Sequence, residues 1–284
     1  MRYFGKLLES KTLFAFVLAS LLIASLAQRY LAHVPSAPDK DFYNYYFAAQ
    51  AVHDNPHANI YQGATDINLE FVPVPPADSI LSTYARAAGF DEINYYTCPP
   101  LLADLLAPLS QLPPNLAAVL WRAFNLVLVL VSVLLLARMV RVPILSFEFA
   151  VLTLAAYSFW PIHDALSLGQ VAIVMLALWT VGIVAYFDDR MILSAAAFAF
   201  ATAFKVTPIL IVPLFFIWKD KKWLVSYLAI SLGLVAAMVA INGLHTTSAY
   251  ASVISSMSSG FPASYNKNLG SLVAWAYYGS LVPS

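Results

Sequence analysis

The sequence predicts an all-α, polytopic integral membrane protein, and three observations carry that prediction. Hydrophobic residues make up 61% of the chain and charged residues only 11%, where ordinary soluble domains carry about a quarter charged residues. Apolar runs of helical length recur along most of it, several near the roughly 20 residues that a bilayer requires. The short links between these runs concentrate their Lys and Arg residues in alternate positions, as the positive-inside rule requires of a chain that crosses a membrane repeatedly.

Thr12–Leu31 is the first run of spanning length, preceded by Arg2, Lys6 and Lys11. It is not followed by a small-x-small cleavage site leading into a soluble sequence, so it reads as a retained first span rather than a removed leader. A polar stretch then runs to about Pro100. In it Phe42, Tyr45, Tyr46 and Ala49 recur at helical spacing, Asp39 or Asp41 is placed to cap that helix, and Asn55-Pro56 ends it. Rings in such a helix are expected to settle among lipid headgroups. A further turn or two of helix is expected around Pro76–Ala88, after a linker kept extended by Pro73, Pro75 and Pro76. Leu101–Leu109 is apolar but too short to span. Pro113-Pro114 opens a full span over Leu116–Ala137.

Further apolar runs are Ile144–Phe159, Ala165–Phe187, Met191–Phe204, Val206–Trp218 and Trp223–Ile241. The runs on either side of Lys205 are short and Pro208 sits beside it, which predicts a hairpin of short helices lining a cavity. Thr246–Ser259 is Ser-rich and expected to be weakly structured. The chain ends without a closing span, so the expectation is a truncated member of something longer. Four segments result: residues 1–31 with the first span, 32–113 as a large first outer loop carrying amphipathic helices, 114–245 as a helical bundle, and 246–284 as a polar outer tail.

Arg2, Lys6 and Lys11, then Arg138 and Arg141, then Arg190, then Lys219, Lys221 and Lys222 fall on one side, the cytoplasm. The large loop, with eight acids against two bases, therefore falls outside, together with His163, Asp164, Lys205 and the tail. The formal net charge is zero, which argues against a nucleic-acid partner. Cys98 is the only cysteine, so neither an internal disulfide nor a cysteine metal site is expected. Gly-rich phosphate loops, HExxH and Gly-x-Ser-x-Gly are absent, so no metal or cofactor is called for. What remains at the outer face is a carboxylate near the exit of the first span, a row of aromatics and scattered cations. That set suits transfer of a sugar from a lipid phosphate. The phosphate is already a stabilised leaving group, one carboxylate can take the acceptor's proton, and a cation can hold the departing charge.

The segments "DFYNYYFAAQAV", "YYTCPPLLADLLAPLSQLP" followed by "LWRAFNLVLVL", "SLGQVAIVMLAL" and "FKVTPILIVPLFF" occur in this order from Asp41 to Trp218. In this the chain resembles glycosyltransferase family 87. These are C-type membrane enzymes that use polyprenyl-phosphate sugars, among them mycobacterial polyprenol-phosphate-mannose-dependent mannosyltransferases. The resemblance implies that Asp41 is the catalytic base, that Tyr96, Pro99 and Pro100 stand at the cavity rim, and that Gly169 and Gln170 line its wall. It implies that Lys205 lies near the donor phosphate. Asp104 departs from the pattern, since that stretch is usually apolar in the family.

Each residue also has a plainer reading. Asp41 can cap its helix, Lys205 can snorkel from a helix end, and Gln170 can bond a neighbouring helix. His163 is a second base or phosphate donor, or merely follows Pro161 at a helix start where Asp164 supplies the favourable charge. Tyr95, Tyr96 and Trp121 are interfacial belt residues or sugar platforms. Arg122 is an outer headgroup anchor or a phosphate ligand. The expected function is inverting transfer of one sugar, mannose first, from a polyprenyl-phosphate donor to a lipid-linked or cell-envelope glycan. It would take place at the outer face of a bacterial plasma membrane, with membrane lipids as the other partner. The rivals are a transporter of lipid or sugar and a non-catalytic envelope-assembly scaffold.

Overall fold

The computed structural model describes Val17 and residues 40–62, 75–91, 93–144, 146–218 and 220–259. The first span apart from Val17, Asp39, most of the proline linker and the tail from residue 260 lie outside the described residues. Among the described residues every regular element is helical. They are α1 (Lys40–Asp54), α2 (Ile80–Ala87), α3 (Pro100–Leu106), α4 (Pro114–Met139), α5 (Phe147–Ser158), α6 (Trp160–Ser167), α7 (Ala172–Phe187), α8 (Met191–Phe204), α9 (Val212–Ile217) and α10 (Lys221–Ser259). Short 3-10 turns at Leu109–Gln111 and Thr207–Ile211 complete the set.

The hub is α1. Every residue from Phe42 to Ala49 is buried, so the helix is covered on all faces. This corrects the expectation that its rings lie among headgroups. Its aromatics interlock instead with Phe90, Tyr96 and Trp121. The alanines Ala48, Ala49 and Ala51 leave room for neighbouring elements to approach. Its polar atoms are satisfied within the protein, as burial demands. The Tyr46 hydroxyl donates to the Leu112 carbonyl at 2.7 Å, the Tyr43 hydroxyl to Asn115 Oδ1 at 3.3 Å, and Asn44 Oδ1 accepts from the Asn94 N–H at 2.9 Å. The second loop helix, α2, is amphipathic as expected. It buries Leu81 and Ala85 and is capped by Ser79, whose Oγ accepts from the Ser82 N–H.

Below this loop core lie the long helices. Two of them, α4 and the Lys221–Ser255 stretch of α10, are long and apolar enough to cross a membrane. In α4, Trp121, Asn125, Val129 and Ser132 face inward, whereas Leu116, Leu120, Phe124 and Val127 are exposed. Along α10, Val225, Leu228, Leu232 and Val235 are likewise exposed. So much large apolar surface is tolerated where lipid covers it and not where water does. The shorter apolar helices α7 and α8 form an antiparallel hairpin, closed by a turn in which Asp189 takes φ +58°. Asp is one of the few residues that accept this conformation readily. Near this turn a stack of Phe215, Trp223 and Tyr227 packs against the hairpin, with ring centroids 3.6 and 5.1 Å apart. Trp223 Nε1 donates to Ser194 Oγ at 3.0 Å.

The run after Lys205 is short, as expected: a 3-10 turn followed by α9, where Pro208 removes a backbone donor. Two elements differ from expectation. The apolar run Ala165–Phe187 is broken between α6 and α7. Thr246–Ser259 is not weakly structured but continues α10 beyond a kink at Gly243 (φ +78°, ψ 164°). This extension is helical because Ala249, Tyr250 and Val253 pack onto the loop core. The Thr247 and Ser252 hydroxyls bond back to the carbonyls four residues earlier.

Gly182 in α7 meets the buried ring of Phe198 in α8 so closely that an added Cβ would lie 2.6 Å from it. We therefore expect Gly182→Ala to cost about 1–3 kcal/mol, seen as a lower thermal midpoint in detergent. Gly233→Ala, where nothing lies within 4 Å of the new methyl, lowers it not at all.

Candidate active site

Asp41 stands in the first turn of α1, where the helix dipole favours a negative charge. It is not occupied as a cap. Its Oδ2 accepts a hydrogen bond from Gln170 Nε2 at 2.7 Å. Local chain geometry explains how a residue so distant in sequence reaches it. At the end of α6, Gly169 adopts φ +65°, its N–H reaches the Leu166 carbonyl, and the Gln170 N–H bonds the Ala165 carbonyl at 2.8 Å. This is a Schellman stop, in which a left-handed residue ends the helix and turns the next side chain outward. The Gly169 carbonyl accepts from Trp121 Nε1 at 2.7 Å, which pins the stop to α4. A Cβ on Gly169 would lie 2.8 Å from the Cβ of Phe42, the neighbour of Asp41. Gln170 is thus not inside a span, as expected from the sequence. It sits in a break, and the break points it at Asp41.

Lys205 terminates α8 with an extended backbone and an exposed side chain. Its charge is close enough to act on both Asp41 and Cys98. Burial raises the Asp41 pKa above the ordinary carboxylate range; the Gln170 bond and the Lys205 charge pull it down in part, and the Asp164 charge pushes it up. Behind Asp41 lies a buried layer. Burial, with the Asp41 charge adding to it, pushes the Cys98 thiol up to about 12, while Lys205 and the Tyr45 hydroxyl bond oppose the rise. The Tyr45 phenol is itself held well above its usual value, mainly by burial.

The structure therefore brings Asp41, Gln170 and Lys205 together and places the other expected residues elsewhere. Tyr96 is fully buried and donates to the Pro99 carbonyl at 2.7 Å, so it supports the site from beneath instead of forming a rim or an interfacial belt. Trp121 is buried for the reason just given. Arg122 is 4% exposed within α4, so it is not an anchor spread among headgroups. The His163 ring stacks on Trp160, with centroids 5.7 Å apart; its neighbour Asp164 is the residue whose charge reaches Asp41. Sequence reasoning missed Asp164, Tyr45 and Cys98 as surroundings of the carboxylate. It also missed that Asp104 is bonded by Asn242, although an Asn-Gly pair inside an apolar run is a visible signal of a break.

An apolar cavity of about 280 Å³ adjoins the site. Ala203 and Val206, on either side of Lys205, line it together with Pro99, Met238 and Tyr250. The end of α8 thus carries a cation between two residues that line a greasy hollow, and that cation acts on the half-buried carboxylate. The family model of glycosyltransferase family 87 matches residues 96–282. The chain belongs to glycosyltransferase family 87. No curated protein and no solved structure matches it. As a member of family 87 it is a membrane glycosyltransferase that uses a sugar donor and an acceptor. Gln170 and Lys205 lie within the matched segment and Asp41 lies before it, so the place of Asp41 rests on its geometry.

Gly169→Ala combines a left-handed conformation, which costs a residue with a Cβ about 1–2 kcal/mol, with a backbone-proximal clash against Phe42. The expected result is a lower thermal midpoint together with loss of transfer activity in the protein that still folds, because Gln170 leaves Asp41. Retention of both by purified Gly169→Ala protein would contradict this account of the site.

Proposed function

We propose that this chain moves one sugar, mannose as the first choice, from a polyprenyl-phosphate donor to a hydroxyl of a lipid-linked or cell-envelope glycan. The reaction inverts the anomeric centre. The acceptor oxygen attacks the anomeric carbon as the bond from that carbon to the phosphate oxygen breaks. Asp41 takes the acceptor proton, and the electron pair leaves with the polyprenyl phosphate. Lys205 steadies the charge on that phosphate, and Gln170 holds the carboxylate in line. The polyprenyl chain lies in the apolar cavity between α8 and α10, with its phosphate at Lys205. The setting is multi-pass insertion in a bacterial plasma membrane with the site at the outer face, which accords with the alternation of basic links.

The observation that carries this reading is a half-buried carboxylate held by Gln170 and acted on by the Lys205 charge, with an apolar cavity lined by the residues on either side of that lysine. A base is useful when its pKa lies above that of an exposed carboxylate yet it stays ionised at working pH. Burial supplies the first condition, and the Gln170 hydrogen bond and the Lys205 charge work toward the second by favouring the charged form. A neutral lipid or a soluble nucleotide sugar would have no need of this combination.

In membranes supplied with radiolabelled polyprenyl-phosphate mannose, Asp41→Asn should lower transfer by about 10²–10⁴-fold. Lys205→Met should lower it by roughly ten- to a hundredfold, the scale of a lost hydrogen bond to a charged group. Undiminished transfer by correctly inserted Asp41→Asn protein would remove Asp41 as the base.

The pH dependence has a defined sign. Asp41 works only when ionised, and its pKa lies above the ordinary value. Activity should therefore begin to fall on the acid side at a higher pH than an exposed carboxylate, with a pKa of about 4, would give. Gln170→Leu removes a contact that favours the charged form, so its acid limb should move to still higher pH. Comparison of kcat–pH profiles for the two proteins checks this.

A further inference from the structure

A second carboxylate, unused in the chemistry above, stands on the short helix α3. Asp104 is half-buried and interrupts an otherwise apolar segment, and its Oδ2 accepts a hydrogen bond from Asn242 Nδ2 at 2.7 Å. Asn242 is 1% exposed, and its Oδ1 is buried with no hydrogen-bond partner. An orphaned buried acceptor costs free energy unless something donates to it. Asn242 is also the last residue before the Gly243 kink, and its carbonyl faces His57 Nδ1 at 3.4 Å, so that nitrogen donates. His57 is exposed, and with its proton on Nδ1 its Nε2 is an acceptor. The loop after α1, the helix α3 and the kink of α10 therefore enclose one polar notch. It offers a carboxylate, an unmet amide oxygen and an imidazole.

One hydrogen-bonded pair links the surroundings of the notch to those of the transfer site. The Tyr61 hydroxyl donates to the Cys98 carbonyl at 2.7 Å, and Tyr61 feels the Asp104 charge, while Cys98 feels those of Asp41 and Lys205. The Tyr61–Cys98 pair thus stands between the two carboxylates. The two differ in company. Asp41 has a cation beside it, whereas burial and the Asn242 amide are what act on Asp104. A phosphate would be repelled there. A row of neutral hydroxyls fits, since each can donate to a carboxylate oxygen, an amide oxygen or the unprotonated nitrogen of an imidazole.

We propose that the Asp104–Asn242–His57 notch is a carbohydrate subsite that holds a neutral sugar unit of the acceptor while Asp41 activates the reacting hydroxyl. This rests on the reading of Asp41 and Lys205 as the transfer site. Hydroxyls on the sugar donate to Asp104, to Asn242 Oδ1 and to His57 Nε2. The donor phosphate stays with Lys205.

Saturation-transfer NMR on the full chain in nanodiscs, with the methyl α-glycosides of mannose, glucose, galactose and arabinofuranose as probes, tests the proposal. At least one glycoside should bind wild-type protein in the millimolar range. Asp104→Ala should weaken it tenfold or more. Asp104→Asn, which can keep the bond to Asn242 but loses the charge, should weaken it severalfold at an unchanged thermal midpoint. If Asp104→Ala fails to fold, Asp104→Asn alone decides. Absence of binding by all four glycosides overturns the proposal, and so does binding by Asp104→Asn equal to wild type, which would leave Asp104 as a brace for the kink. A methyl glycoside carries no phosphate and undergoes no transfer. Failure here is therefore distinct from failure of Asp41 as base, which only the transfer assay reads.

Discussion

The close approach of Phe42 to Gly169 is the contact on which the candidate site depends. It is available only because Gly169 lacks a Cβ and accepts a left-handed backbone. The stop that it makes in the chain does three things together. It ends α6, it offers a carbonyl to Trp121, and it turns Gln170 toward Asp41. Each is a short-range consequence of backbone geometry. Their sum fixes the loop helix α1 against the bundle helix α4 and sets the geometry of the carboxylate.

The loop helix is held by burial and by hydrogen bonds that only a protein interior requires. A helix of Tyr and Phe could have floated at a lipid interface. Here the Tyr43, Tyr46 and Asn44 polar groups find partners in the protein, and the rings pack on one another, so the helix is a core element outside the spans. This matters for the proposed role of Asp41. A carboxylate on a mobile interfacial helix would sample many positions, whereas one on a buried helix is held in place before substrate arrives. The same burial raises its pKa, so position and basicity share one cause.

The sequence made much of this readable. Met191–Phe204 was delimited to the residue because Arg190 and Lys205 bracket an unbroken apolar run, and Pro113-Pro114 marked the start of α4. Gln170 and Lys205 stand out as polar residues in or between apolar runs, and Asp41 as the carboxylate near the exit of the first span; the three lie together. The rest was hidden for physical reasons. Periodicity reports a face, so it cannot distinguish a helix buried all round from one at an interface, and α1 is the former. Apolar runs do not show breaks made by one glycine, so the stop before Gln170 went unread. The helical continuation past Gly243 depends on Tyr250 and Val253 meeting a loop nearly two hundred residues earlier, which no local pattern encodes. Arg122 and Tyr96 looked like surface chemistry by residue type, yet both lie inside.

The one thiol of the chain has a practical corollary. Cys98 is 5% exposed and its ionisation is displaced to about 12, so at neutral pH almost none of it is the reactive thiolate. The chain therefore supplies its own silent background for maleimide or nitroxide probes. Reporter cysteines can be set one at a time along α8 or α10 to watch these helices, without first deleting a native sulfur that sits near Asp41.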